Sequence, residues 1–279
     1  MTTAVITIVS GRHDHLLAQQ RGLLLGSRRP DLYVVVAMDD AQAVALTTGG
    51  PLAGSGCCLQ THDIPVDGPL PLAAARNIGA AAALAAGADV LIFLDVDCVP
   101  APSLVAVYDK AVRTESRPAL HCGVVQYLDE TVDAGRIHPA ELAGLAHTAR
   151  PQPDPGESTA SDDWQLFWSL SFAVSNLTWQ QLGGFCEDYR GYGAEDTDFG
   201  YHAFLSGINL RWLGGADAFH QHHDSQDPPV PHLVDIVRNA TIFRRRWGFW
   251  PMQGWLTAFR DLGLADYDPD RDRWSVRAG

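Results

Sequence analysis

The residues best suited to chemistry stand in three groups. Glu195, Asp196 and Asp198 follow a glycine-rich, aromatic-flanked run from Gly183 to Ala194. Asp95 and Asp97 close the apolar segment Leu91-Ile92-Phe93-Leu94, and His220, His222 and His223 follow a second apolar segment. On a strand, the alternation of side chains would put Asp95 and Asp97 on one side. Two like charges so close are costly unless a cation or donors neutralise them. Such a pair suits Mg²⁺ or Mn²⁺ held jointly with a diphosphate, and imidazole nearby shifts the expectation toward Mn²⁺. A carboxylate of the first group could take a proton from an attacking hydroxyl, as a general base. Acids in a first helical turn also serve the cap and the dipole. One acid meets that need, and the cluster exceeds it. Together the groups point to metal-assisted transfer.

Strands and helices must bring these side chains together. Residues 5–9, 33–38 and 90–94 read as buried strands, 58–62 as a weaker one and 123–127 as another. Residues 15–27, the Ala-rich 72–86 closed by Gly87, 101–113, 195–205 and 238–246 read as helices. Apolar strands between helices imply an α/β fold with a mostly parallel sheet covered on both faces. Ligands of such sheets bind beyond the carboxyl ends of the strands. Ser10-Gly11-Arg12, Asp39-Asp40 and Asp95-Val96-Asp97 all stand at those ends and should converge.

At 279 residues, 46% of them hydrophobic, the chain can build a sizeable core. Its formal charge of −13 argues against nucleic acid as a partner, because phosphate binding needs Lys and Arg. The five cysteines include the adjacent Cys57 and Cys58 and no Cys-x-x-Cys pair. That speaks against a disulfide framework or a thiolate zinc site, and for a reduced cytoplasmic setting. No leader-like segment stands at the start, and no apolar run approaches the roughly 20 residues that span a bilayer. A soluble protein is expected. The arginines and tryptophans from Arg244 to Trp250 raise a membrane-surface contact as a minor alternative. Residues 148–163, rich in Pro, Gly, Ser and acids, read as a mobile loop. Trp164 and Trp168 behind it are either core packing or aromatic anchors of a lid that stack on a ring-shaped ligand.

Three stretches resemble nucleotide-sugar-dependent glycosyltransferases of the GT-A fold, the large family-two group and its relatives with a galactosyltransferase-like C-terminal segment. Arg76-Asn77-Ile78-Gly79 leading to Asp95-Val96-Asp97 resembles that family's Arg-Asn-x-Gly helix and metal-binding Asp-x-Asp. Gly183-Gly184-Phe185 through Gly191-Tyr192-Gly193-Ala194-Glu195-Asp196 is similar to its Gly-Gly-Phe-Asp-Glu…Gly-Trp-Gly-Gly-Glu-Asp signature, and Phe219-His220-Gln221 to its late metal-binding His. Cys186, Tyr192 and Ala194 depart from the pattern; the acids do not.

The resemblance implies a Rossmann-like, single-domain GT-A fold. Its nucleotide-sugar half would span residues 1–115 and its acceptor and catalytic half 116–240, with 241–279 a packed extension. Ser10, Arg12, Asp39, Asp40, Arg76 and Asp95 would line the donor nucleotide, UDP ahead of GDP. Asp97, Asp95, His220 and His222 would hold Mn²⁺ or Mg²⁺. Asp196 would be the catalytic base with Glu195 beside it, and Tyr192, Trp164 and Trp168 would meet a hydroxyl-bearing, carbohydrate-like acceptor. Retaining relatives tend to carry Asn after the Glu, so Asp196 favours inversion. A non-catalytic sugar-binding protein and a sugar nucleotidyltransferase are the alternatives. The standing acids oppose the first, and the single glycine of Ser10-Gly11-Arg12-His13 opposes the second.

Overall fold

A computed structural model describes residues 1–277. In chain order the elements are β1 Thr2–Val9, α1 His13–Leu24, β2 Leu32–Met38, α2 Ala41–Gly49, β3 Cys58–Ile64, α3 Leu72–Ala85, β4 Ala88–Leu94, β5 Cys98–Pro100, α4 Leu104–Thr114 and β6 Ala119–Tyr127. Then come β7 Leu145–Ala146, β8 Ser158–Ser161, β9 Ser171–Ser175, α5 Asn176–Leu182, α6 Glu195–Leu205, β10 Asn209–His220, α7 Leu233–Trp247 and α8 Gln253–Asp261. A hairpin of β11 Ala265–Asp268 and β12 Arg273–Val276 follows. One mixed sheet orders its strands β3-β2-β1-β4-β9-β6-β10-β5. It is parallel along β3-β2-β1-β4 and again between β6 and β10, while β9 runs antiparallel between the two groups. The expected α/β class and single-domain sheet hold.

Two cores follow from the alternation of the strands. Ile6, Val34, Leu91, Phe93 and Phe172 face α3, α5 and α6, while Val5, Tyr33, Ile92 and Ala173 face α1, α2 and α4. Helix α3 lies tight on the first face because Gly79 has no side chain. A Cβ there would stand 2.5 Å from Ile6 Cγ2. This close approach sets the height of Arg76, one turn earlier on the helix.

Some expectations change. Helix α2 was not foreseen, and Asp40 caps it by accepting the Ala43 N–H at 2.9 Å. The segment read as a mobile loop contains β8, paired with Leu210–Leu213 of β10. Several side chains of Arg244–Trp250 are engaged within the protein, while Arg245 and Arg246 remain exposed. Arg244 pairs with Asp272 at 2.6 Å, and Trp250 Nε1 donates to Asp272 at 2.7 Å. Trp247 Nε1 and Arg246 Nε both reach Asp198 Oδ1, at 2.6 and 2.9 Å. Among the described residues no helix is long and apolar enough to cross a membrane.

Candidate active site

The strand that carries the first acid pair ends at Leu94. Asp95 to Cys98 is a turn, closed by the Cys98 N–H on the Asp95 carbonyl at 2.9 Å. The two carboxylates therefore take different partners, not the shared side that strand alternation would give. Arg76 Nη2 reaches Asp95 at 3.1 Å, whereas Asp97 Oδ2 meets Arg12 at 3.7 Å, His220 Nε2 at 3.6 Å and His223 Nε2 at 3.5 Å. Gln19, fully buried on α1, holds the turn from below. Its amide donates to the carbonyls of Asp95 at 2.7 Å and Cys98 at 3.2 Å, while its oxygen accepts from Thr7 and Tyr33.

Asp97, His220 and His223 offer ligand atoms that all lie within 4.8 Å of one another. Pairing of β10 with β5 puts His220 opposite Cys98, and so beside Asp97. The Gln221 N–H then bonds the Asp97 carbonyl at 2.7 Å, which turns the chain so that His223 returns to the cluster while His222 is exposed outside it. Neither His222 nor Asp95 belongs to this cluster, contrary to expectation. Burial pushes Asp97 up, but His223, His220 and Arg12 outweigh it and hold the carboxyl at about 2. Burial lowers His220, and the bond to Asp97 raises His223. One carboxylate and two imidazoles are a ligand set that could hold a divalent transition-metal ion, Mn²⁺ among them.

Arg76, 5% exposed, joins this region to the second acid group. Its guanidinium spans Asp95 and Glu195 Oε1, the latter at 3.3 Å. Burial and the charge of Asp196 push Glu195 up to about 7, against the pull of Arg76. Burial, with the charges of Asp97 and Asp196, pushes Asp95 to about 6. Glu195 Oε2 is buried and has no partner among the described residues. Asp196 is half-buried; its Oδ1 accepts the Thr197 N–H at 2.7 Å and hydroxyl at 3.3 Å, and burial raises its carboxyl. Asp198 belongs elsewhere. It is 2% exposed and takes Tyr189, Arg246 and Trp247 on one oxygen.

At the nucleotide end, Asp40 is consumed internally by the Gly11 N–H at 2.7 Å and His13 at 2.9 Å, which fix the Ser10–Arg12 loop beside it. Asp39, at φ 54°, is the exposed acid of the pair. Asn77, named above only as part of the Arg-Asn-x-Gly resemblance, has a positioning contact that the sequence did not indicate. Its amide pins the Gly-Gly-Phe turn by giving to the Phe185 carbonyl at 2.9 Å and taking the Phe185 N–H at 2.8 Å. Gly184 admits it, since a Cβ there would stand 2.6 Å from Asn77 Oδ1.

The aromatic residues separate. Tyr192, 40% exposed, stacks on His232 at 4.6 Å beside Trp255 at 5.9 Å. Burial and the charges of Asp196 and Glu195 push its hydroxyl to about 12. Trp164 packs instead on Tyr201 and Phe249 in the core under α6 and α7. Trp168 has its face covered by Arg150, itself held between Trp168 and Trp212 at 4.8 and 4.6 Å, and its neighbour His147 meets it edge-on.

No protein-family model matches the chain. Validoxylamine A glucosyltransferases of Streptomyces hygroscopicus subsp. jinggangensis and subsp. limoneus are 34% identical over 61 residues, 21% of this chain. The match spans only 14% of the length of those relatives. Among solved structures, S. aureus TarS 1-349 in complex with UDP-GlcNAc is similar over 94% of this chain and 80% of its own, with a TM-score of 0.58 and 15% identity. GalNAc-T7 with UDP, GalNAc and Mn²⁺ is similar over 80% of this chain and 44% of its own, with a TM-score of 0.54 and 15% identity. The chain has the GT-A fold of these nucleotide-sugar glycosyltransferases.

Proposed function

We propose that the protein transfers a sugar from a nucleoside diphosphate donor, UDP ahead of GDP, to an acceptor hydroxyl with inversion at the anomeric carbon. The observation that carries this reading is the bridge Asp95–Arg76–Glu195, which ties the Asp97–His220–His223 cluster to the acids at the start of α6. Residues 1–115 supply the donor side through Ser10, Arg12, Asp39, Arg76 and Asp95. Residues 116–240 supply the acceptor and catalytic side, with 241–279 as the C-terminal extension. Asp97, His220 and His223 would hold a divalent ion, which when bound would supply positive charge against the leaving diphosphate. Asp196 takes the proton of the acceptor hydroxyl, whose oxygen bonds to the anomeric carbon from the face opposite the diphosphate. The bond from that carbon to the diphosphate oxygen breaks, and its electron pair leaves with the nucleoside diphosphate. Glu195 stands beside Asp196 to orient acceptor hydroxyls, and Tyr192 with Trp255 offers a flat face to a sugar ring.

Hydrolysis of UDP- and GDP-sugars with Mn²⁺ and no acceptor tests this reading, because transferases slowly hydrolyse their donors. Release of UDP from at least one UDP-sugar, abolished by EDTA, is expected. Mn²⁺-independent release, or none from any donor together with no calorimetric binding of UDP, would sink it.

A further inference from the structure

We infer that α7 is a brace that presets the acids of the site, with Asn239 as its central positioning residue. This rests on the transferase reading above. The backbone from Arg190 to Ala194 is left-handed at Gly191, Gly193 and Ala194, at φ 65°, 95° and 74°. Such a segment makes few bonds of its own, and its carbonyls need partners from elsewhere. Asn239 is fully buried and supplies them: its Nδ2 donates to the carbonyls of Arg190 at 2.9 Å, Tyr192 at 3.2 Å and Gly193 at 2.8 Å. An amide has two N–H groups, so one is shared between two acceptors. Arg238 donates to the same Arg190 carbonyl, and Asp235 Oδ2 accepts the Tyr192 N–H at 3.3 Å. Gly191 is required by this contact, because a Cβ there would stand 1.9 Å from Asp235 Oδ2.

The same helix grips the far side of the acids. Arg246 and Trp247 hold Asp198, in the first turn of α6. Asn239 and Trp247 are eight residues apart, about 12 Å along α7. Glu195 and Asp196 stand between these two grips, on a helix whose own N-cap, Ala194, gives no side-chain bond. None of the braced contacts touches Asp97, His220, His223 or Arg12. The brace therefore acts first on the orientation of the acids and reaches the donor side only through the Arg76–Glu195 pair.

Asn239→Ala tests this through three readouts. Amide hydrogen exchange at residues 190–194 should accelerate, whether or not the chain is a transferase. The calorimetric affinity for UDP with Mn²⁺ should stay within about twofold, while kcat for transfer should fall about 10- to 100-fold, the scale of a misplaced catalytic group. Val112→Ala, buried on α4 in the core on the opposite face of the sheet, lowers stability without touching α7 or the loop and should keep kcat. Should Asn239→Ala fail to fold, Asp235→Asn keeps the shape and should accelerate exchange at Tyr192. Unchanged exchange in the folded variant overturns the brace. So does normal kcat despite faster exchange, or an equal loss of kcat in Val112→Ala. If wild type neither binds UDP nor turns over a donor, the transferase reading fails while the exchange result still judges the brace.

Discussion

Arg76→Met should cost stability mainly above neutral pH. The guanidinium is buried between Asp95 at 3.1 Å and Glu195 at 3.3 Å, so removing it leaves two buried carboxyls without their cation. Breaking a buried ion pair from one side costs about 3–5 kcal/mol when the abandoned groups stay charged. Whether they stay charged depends on pH. Glu195 is raised to about 7 and Asp95 to about 6 in the folded protein, above ordinary carboxyl values. A group whose folded pKa is raised binds its proton more tightly when folded, so stability falls as pH climbs from the unfolded value through the folded one. Without Arg76 both values rise further. At pH 5 both carboxyls hold protons, and the substitution should cost about 1 kcal/mol or less, because a costly buried cation has also been removed. At pH 8 the loss should reach about 3–5 kcal/mol. Urea unfolding at both pH values, without metal or nucleotide and with unchanged m, measures the difference. Adding Glu195→Gln to Arg76→Met should recover part of the loss at pH 8. A loss equal at the two pH values, or larger at pH 5, would refute the bridge as drawn.

Asp196→Asn keeps shape but removes the proton acceptor, so turnover with acceptor should fall by about 100-fold or more, with UDP affinity nearly unchanged. Near-normal turnover would favour a retaining mechanism. His223→Ala should weaken Mn²⁺-dependent UDP binding in calorimetry, as Asp97→Ala should, whereas His222→Ala should not; the reverse order would return His222 to the ligand set. Gln19→Leu takes one of two bonds from the Asp95 carbonyl and leaves the buried Tyr33 hydroxyl without its partner, at about 1–3 kcal/mol for a buried group left unpaired. Its urea midpoint should drop and Mn²⁺ affinity fall with it. Loss of stability with unchanged Mn²⁺ affinity would free the turn from Gln19.

Local pattern made much of this protein legible. Apolar runs between helical stretches gave the strands β1, β2 and β4, because strands buried on both faces must be apolar throughout. The positions just past those strands marked Arg12, Asp39, Asp95 and Asp97 as neighbours, and the glycines of 183–193 marked a backbone that only glycine readily adopts. Spacing could not say where each side chain points. Strand alternation would send His220 and His222 to one side, but β10 stops at His220 and the bend at Gln221 brings His223 to Asp97 instead. The turn at Asp95–Cys98 parts two acids that a continued strand would keep together. Asp198 looked like a third catalytic acid until α7, distant in sequence, packed Arg246 and Trp247 against it. Trp164 likewise finds a partner far along the chain, in Phe249. Sequence determines which groups stand at the ends of which elements, because backbone periodicity is local. Which of them meet is decided by strand register and by contacts across long loops, and those exist only once the chain is packed.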